Sequence, residues 1–354
     1  MIDTLLAREP MSEEKSIRLT IAITTRNRAD YIGETLDSII PQLADDVELL
    51  ILDGASTDRT PDVVAEYQSR VPALRYVRLQ VNGGADRDFD RSVGYSRGEY
   101  CWLMTDDDLL RAGAISAVRN AISASPSLVI VNAEVRNPDL TEVVEAKRLA
   151  FSCDRTYRGD DLDGIFAETA FYLSFIGCVV IKRSIWMARD RERYYGSLFV
   201  HMGVIFQQPL PGEVIALAEP FITIRYGNAK WIRQEFEIWM FKYPKFIWSF
   251  ELVSAEAKAA VTPRQPWRKA ARLLLYRAKG GYTRAEYKTW IRPEVRSLIE
   301  RIRFGGVLLV PGSVANLLAL LYCATTRKSV GLKLVELRKS PHYFRNWRRR
   351  SCEA

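Results

Sequence analysis

Histidine is almost missing from this chain. His201 and His342 are its only two, too few and too far apart for a histidine-based metal site. The five cysteines (Cys101, Cys153, Cys178, Cys323 and Cys352) are odd in number and share no close spacing. That pattern excludes both a disulfide framework and a zinc ribbon, and a reducing cytosol is the expected setting. The stretch Met1 to Lys15 lacks a basic start, an apolar run and a small-residue cleavage site, so no secretory signal is read there. Met11 offers an alternative start after a loose extension. No G-x-x-x-x-G-K-[ST] run occurs, which excludes a P-loop, and there is no internal repeat or low-complexity tract.

What is present is the composition of a folded protein: 354 residues, 48% hydrophobic and 27% charged, enough for one large domain and a smaller one. The net charge of +8 is unevenly spread. From Arg264 onward there are 21 Lys and Arg against 5 Asp and Glu, so the front of the chain is acidic and the tail strongly basic. Such a tail points to an anionic partner, either membrane lipid or nucleic acid.

The first hundred and thirty residues alternate short apolar runs with helical spacing. Leu19 to Ile23, Val47 to Leu52, Leu74 to Leu79, Tyr100 to Met104 and Leu128 to Val131 read as buried strands. Between them, Ile32, Leu36, Ile39 and Ile40 recur at helical spacing, as do Ile115, Val118 and Ile122. Thr60-Pro61 opens a further helix, with a hydroxyl to cap it and a proline where no N–H is needed. Strand–helix–strand order predicts an α/β fold, a mostly parallel sheet flanked by helices.

Ligands of such sheets bind beyond the carboxyl ends of the strands. Three strand ends here carry polar clusters: Thr24-Thr25-Arg26, Asp53-Gly54-Ala55-Ser56 and Asp106-Asp107-Asp108. Three adjacent carboxylates repel one another and ask for a cation. A hard divalent ion such as Mn²⁺ or Mg²⁺ takes one or two carboxylates plus substrate phosphates. The alternative is acidic residues favouring the dipole of the helix that follows. Asp53 can accept from a nucleobase or ribose, or serve a turn that needs Asp, Gly and Ser. Asp58 reads as a turn or cap residue. In Asn82-Gly83-Gly84, glycine lets backbone approach a ligand, with Asp86 and Arg87 in reach of ribose or diphosphate; a plain turn before a charged helix is the other reading.

Taken in order, ITTRNR, LDGASTDRT, NGG and RGEYCWLMTDDD resemble the nucleotide-binding half of family 2 glycosyltransferases over about Leu19 to Leu110. The resemblance implies a GT-A fold, a nucleotide-diphospho-sugar donor, a divalent cation and inversion at the anomeric carbon. It implies that Thr24 and Thr25 line the donor pocket, that Asp53 holds base or ribose, and that Asp106 to Asp108 supply the metal carboxylates. Many members carry two acidic residues where this chain has Asp53 then Gly54, and the family's D-x-D is here a run of three. Asp106 and Asp108 are the expected metal pair, with Asp107 the alternative, and Asp108→Asn is expected to abolish transfer without unfolding the protein.

The segment FIGCVVIKRSIW (Phe175 to Trp186) resembles the family's acceptor-side strand. An inverting transfer needs a base for the attacking hydroxyl. The family's usual Asp or Glu is replaced in this region by His201, which either fills that role or is a buried helix residue beside Met202 and Val204. The pattern GCVVIKRS with GSLFVHMGV is similar to abequosyltransferase-like members that build O-antigen repeats. Expected boundaries are an extension over 1–16, a catalytic domain over 17–226 (donor half 17–110, acceptor half 111–226) and a helical basic domain over 227–354.

That last part opens with Trp231, Glu235, Ile238, Trp239 and Lys242 at helical spacing, a face either core or interfacial. Between Arg303 and Arg327 lie 23 uncharged residues, long enough to span a bilayer but interrupted by Gly305, Gly306, Pro311, Gly312 and Asn316. Two short helices on or dipping into the membrane, or buried in a small helical domain, are the open readings. Arg348, Arg349 and Arg350 beside Trp347 suit lipid headgroups; with no RNA-binding motif in sight, nucleic acid is not expected. The expectation is a metal-dependent enzyme, peripheral on the inner face of the cytoplasmic membrane, acting on a polyprenyl-diphosphate-linked saccharide. A sugar-phosphate nucleotidyltransferase and a non-catalytic nucleotide-sugar-binding scaffold are the rivals.

Overall fold

A computed structural model describes residues 16–228, 234–325 and 330–344. Met11 and the 1–15 stretch, Trp231, Cys352 and the Trp347 to Arg350 run lie outside the described residues. The strands are β1 (Leu19–Thr25), β2 (Val47–Asp53), β3 (Leu74–Arg78), β4 (Tyr100–Met104), β5 (Leu109–Leu110), β6 (Leu128–Arg136), β7 (Val143–Glu145), β8 (Arg155–Tyr157), β9 (Val179–Lys182) and β10 (Val214–Arg225). The helices that matter to the site are α1 (Ile32–Ile39), α2 (Thr60–Arg70), α3 (Ala85–Tyr95), α4 (Ala114–Ile122), α5 (Leu162–Thr169), α6 (Arg183–Ala188) and α7 (Val200–Phe206).

One sheet runs in the order β3-β2-β1-β4-β9-β6-β10-β5, with β7 on β6 and β8 on β10. β3, β2, β1 and β4 are parallel, as the alternating pattern predicts. Beyond β4 the sheet is mixed: β9 lies antiparallel to both β4 and β6. The parallel expectation fails there because the strand–helix alternation stops at β6. The chain then makes a long excursion through β7, β8 and α5 before β9 slots back between β4 and β6 in the opposite sense. β10 is parallel to β6 with register shifts around Pro220, where the missing N–H is tolerated at a bulge.

Both faces of the sheet are covered, so the inner strands are mostly apolar; all seven positions of β2 are buried. Its one interior acid, Glu48, is satisfied by the Thr20 hydroxyl at 2.6 Å, Arg97 N at 2.9 Å and the Arg75 guanidinium at 2.5 Å. On α4 the buried set is Ala114, Ile115, Val118 and Ile122, the stripe read from the sequence. Thr60 does not cap α2. Asp58 does that work, accepting from Thr60 N at 2.9 Å and from the Thr60 hydroxyl at 2.6 Å.

The expected division after Tyr226 does not coincide with a packing boundary. Ile238, Tyr243, Phe246, Ile247, Phe250 and Val253 belong to the same core as the sheet. Aromatic edge contacts hold them there, Phe199 against Tyr243 at 5.1 Å and Phe166 against Phe250 at 5.6 Å between ring centroids. A second cluster, around Phe236, Trp267, Tyr282 and Phe304, begins on the same segment. A third joins Ala278, Ala315, Cys323 and Leu337. Among the described residues no single helix is long and apolar enough to cross a membrane; Leu298–Leu309 and Gly312–Thr325 meet at 90°.

Candidate active site

The order of the sheet reverses between β1 and β4: from β1 the chain steps outward to β2 and β3, then returns to β4 on the other side. A reversal of this kind opens a crevice beyond the carboxyl ends of the two strands. Here it is bounded by Thr24 and Thr25 from β1 and by Thr105 to Asp108 from β4.

The loop after β1 is tied down by its neighbour after β2. Asn27, held at φ 53°, accepts from Thr57 N at 2.7 Å and donates its own N–H to the Ser56 hydroxyl at 2.9 Å. Arg28 N donates to the Thr60 hydroxyl at 2.8 Å, and Ala29 N to Asp58 at 3.2 Å. This lacing projects Arg28 across the crevice. Its Nε lies 3.2 Å from Asp106 Oδ1 and its Nη2 3.2 Å from Asp107 Oδ2. Asn228 Nδ2 donates to the same Asp107 oxygen at 2.9 Å. Two guanidinium groups lie over the Tyr31 ring, Arg28 at 5.5 Å and Arg225 at 5.4 Å from its centre.

Asp106 and Asp107 thus converge on one cationic group. Burial pushes the Asp107 carboxyl up, opposed first by the Arg28 charge. Two carboxylates sharing a cation fit a hard divalent ion that completes its shell with water and substrate phosphate. Among the described residues no three His, Cys, Asp or Glu side chains are grouped to hold a metal by protein atoms alone.

Asp108 differs from the expectation. It is 3% exposed, and its Oδ1 accepts from Arg225 N at 2.8 Å while Oδ2 accepts from the Thr105 hydroxyl. Burial and the adjacent Asp107 charge raise its carboxyl well above the usual range. Asp108 therefore ties β4 to the end of β10 and turns away from the crevice. The pair that faces Arg28 at the crevice is Asp106 and Asp107. Sequence spacing could not reveal this, because three consecutive acids leave a strand end in three directions.

Thr24 and Thr25 carry buried hydroxyls with no protein partner, so two polar groups are left for something else at the crevice. Asp53 is fully buried, accepting from Ser56 N at 2.7 Å and from the Tyr76 hydroxyl at 2.6 Å, so it shapes the turn after β2. The loops after β2 and β3 converge on Asp88, a residue the sequence reading did not single out. Asp88 accepts from Gly83 N at 3.2 Å and from Arg91 at 3.2 Å, with the charge of Arg26 also acting on it. A Cβ on Gly54 would stand 2.6 Å from Asp88 Oδ2, so a larger residue there displaces the Asp88 carboxylate. Gly84 precedes α3 at φ 83° and ψ 161°, a conformation open only to glycine; it sets the start of the helix.

Asp86 was expected near ribose or diphosphate. It instead accepts from Leu198 N at 2.9 Å and Val200 N at 3.1 Å, capping the start of α7. Arg87 lies over the Tyr195 ring at 5.2 Å. His201 is 1% exposed; its Nε2 bonds the Leu173 carbonyl at 2.6 Å, and Nδ1 has no partner. Burial lowers its pKa to about 4. All seven residues of α7 are buried, and His201 packs among them beside Met202 and Val204.

The α/β sheet, its reversal crevice, the buried threonine hydroxyls at the end of β1 and the two aspartates after β4 that face Arg28 make up the candidate site. Residues 20–180, a little under half of the chain, match the model of glycosyl transferase family 2. It is 26% identical to the abequosyltransferase RfbV of Salmonella typhimurium, over 59% of this chain and 67% of that enzyme. It is also 26% identical to the succinoglycan biosynthesis protein ExoO of Rhizobium meliloti, over 37% of each chain. In structure it is similar to S. aureus TarS in complex with UDP, with a TM-score of 0.51 and 14% identity over 91% of this chain and 90% of that one.

Proposed function

We propose that the chain moves a sugar from a nucleotide-diphospho-sugar to a saccharide acceptor, with inversion, in the assembly of a bacterial surface polysaccharide of the O-antigen kind. Asp106 and Asp107 would hold Mn²⁺ or Mg²⁺, which supplies charge neutralisation for the departing diphosphate when bound. Thr24 and Thr25 line the donor crevice, Asp53 and Gly54 shape the wall that takes the nucleoside, and Arg28 faces the diphosphate end. The likeness to an abequosyltransferase supports a deoxyhexosyl or hexosyl donor.

The observation that carries this reading is the pairing of Asp106 and Asp107 on one cationic group at the strand-order reversal. The acceptor is proposed to be polyprenyl-diphosphate-linked, so the protein works at the inner face of the cytoplasmic membrane. Its basic C-terminal third supports that placement. The test is a panel of nucleotide sugars scored for Mn²⁺- or Mg²⁺-dependent thermal stabilisation, followed by an assay for release of nucleoside diphosphate. Release of pyrophosphate from a nucleoside triphosphate and a sugar phosphate would instead mark a nucleotidyltransferase, and binding without turnover a scaffold.

A further inference from the structure

Seventeen large apolar side chains are exposed among the described residues, and nine of them fall between Leu298 and Tyr322. The helix Gly312–Thr325 explains the concentration. Its inner face is small and polar: Ala315 packs on Ala278, and the buried Asn316 amide donates to the Ala278 carbonyl at 3.1 Å and the Leu337 carbonyl at 2.9 Å. Its outer face carries Val314, Leu317, Leu318, Leu321 and Tyr322, at steps of three, four, seven and eight residues, all exposed. That is an apolar stripe turned away from the core, on a helix that carries no charged residue. Ile299 at 78%, Ile302 at 65% and Leu309 at 82% exposure add further apolar surface on the segment before the 90° bend.

We infer that this bent helix pair is a docking surface for an anionic lipid bilayer, on which it lies in the plane of the interface. A patch this concentrated on a folded chain marks an interaction site. Charge selects the occupant. Arg292, Arg296, Arg301 and Arg303 are exposed around the stripe, and the segment from Phe304 to the next charge, Arg327, has none. A second copy of the chain would bring the same arginines against these, whereas anionic headgroups neutralise them and an apolar layer beneath takes the stripe. The bend and the shortness of each helix favour lying on the membrane over crossing it. The inference rests on the proposed lipid-linked acceptor and supplies the surface that brings the enzyme to it.

The experiment is co-sedimentation of the full chain with vesicles of phosphatidylcholine alone or with one part in three phosphatidylglycerol. Light scattering reports the oligomeric state of the same samples. Strong binding is expected only to the anionic vesicles. The L317E/L321E and I299E/I302E pairs, all at exposed positions, are expected to weaken it by about tenfold or more, and R301Q/R303Q to flatten its salt dependence. Equal sedimentation of wild type and the Glu variants overturns the inference. So does a dimer that those variants dissociate without any vesicle binding. Thermal stabilisation by Mn²⁺ with nucleoside diphosphates is read on the same proteins and is expected to be unchanged by these substitutions. Its absence from wild type would sink the transferase reading whatever the vesicles show.

Discussion

Arg28→Met is the most informative single change at the site. The substitution keeps much of the side chain's length and removes its charge, leaving Asp106 and Asp107 facing each other at the crevice. Both nitrogen–oxygen distances are 3.2 Å, and the three side chains are each about one-eighth exposed, at 12%. Removing one partner of a buried ion pair costs about 3–5 kcal/mol. Partial exposure places this case near the lower end, about 3 kcal/mol, a fall of several degrees in melting temperature for a chain of this size. A divalent cation reverses the sign. In wild type it must displace a guanidinium, whereas in the variant it meets two carboxylates that have lost the Arg28 charge. Mn²⁺ alone is therefore expected to bind Arg28→Met about tenfold more tightly, worth about 1.4 kcal/mol of extra stabilisation at saturating metal. Calorimetric titration with Mn²⁺ and melting curves with and without it measure both quantities. If the variant is as stable as wild type and binds Mn²⁺ no better, Arg28 is not the counter-charge of the pair.

Asp108→Asn is expected to stay within about 1 kcal/mol of wild-type stability, because a neutral amide keeps the Arg225 N–H bond and relieves the burial and Asp107 repulsion that disfavour the ionised carboxyl; Mn²⁺-dependent donor binding should persist, and its loss in a folded variant would return Asp108 to the metal set. His201, at a pKa of about 4 when folded and 6.5 as its ordinary value, is neutral in the folded chain while the unfolded chain takes up a proton first on acidification. Its contribution is complete above pH 6.5 and is lost toward pH 4, by about 3 kcal/mol, so His201→Gln should show a shallower acid loss of stability than wild type in denaturant titrations across that window. Asp86→Ala is expected to cost about 1 kcal/mol or more through the exposed start of α7, read by denaturant midpoint; a variant as stable as wild type would refute the capping role.

The parallel half of the sheet was legible because buried strands and amphipathic helices have distinct periods, and Leu19–Thr25, Val47–Asp53 and Tyr100–Met104 fall where the apolar runs place them. The mixed half was not, since a four-residue strand such as Val179–Lys182 carries no period that tells its direction. At the site, position along the chain located the crevice, but direction around each backbone decided the roles. Asp106 and Asp107 face Arg28, while Asp108, one residue on, faces β10. Asp86 and Asp88 divide in the same way on α3, one toward α7 and the other toward Gly83. His201 stands where the resemblance led a base to be expected, yet the apolar neighbours Val200, Met202 and Val204 pull its helix into the core. Asp88 had a signal available, an acid near the first turn of a helix that follows two glycines, but only the fold brings it against Gly54.

The central claim is that Asp106 and Asp107 form the cation-holding pair of a nucleotide-sugar site. Its most direct measurement is calorimetric binding of nucleoside diphosphate to wild type, Asp106→Asn and Asp107→Asn, each with and without Mn²⁺. Metal should strengthen binding to wild type by tenfold or more (about 1.4 kcal/mol) and should do nothing for the folded Asp107→Asn protein. Equal enhancement by Mn²⁺ in all three proteins would contradict the account.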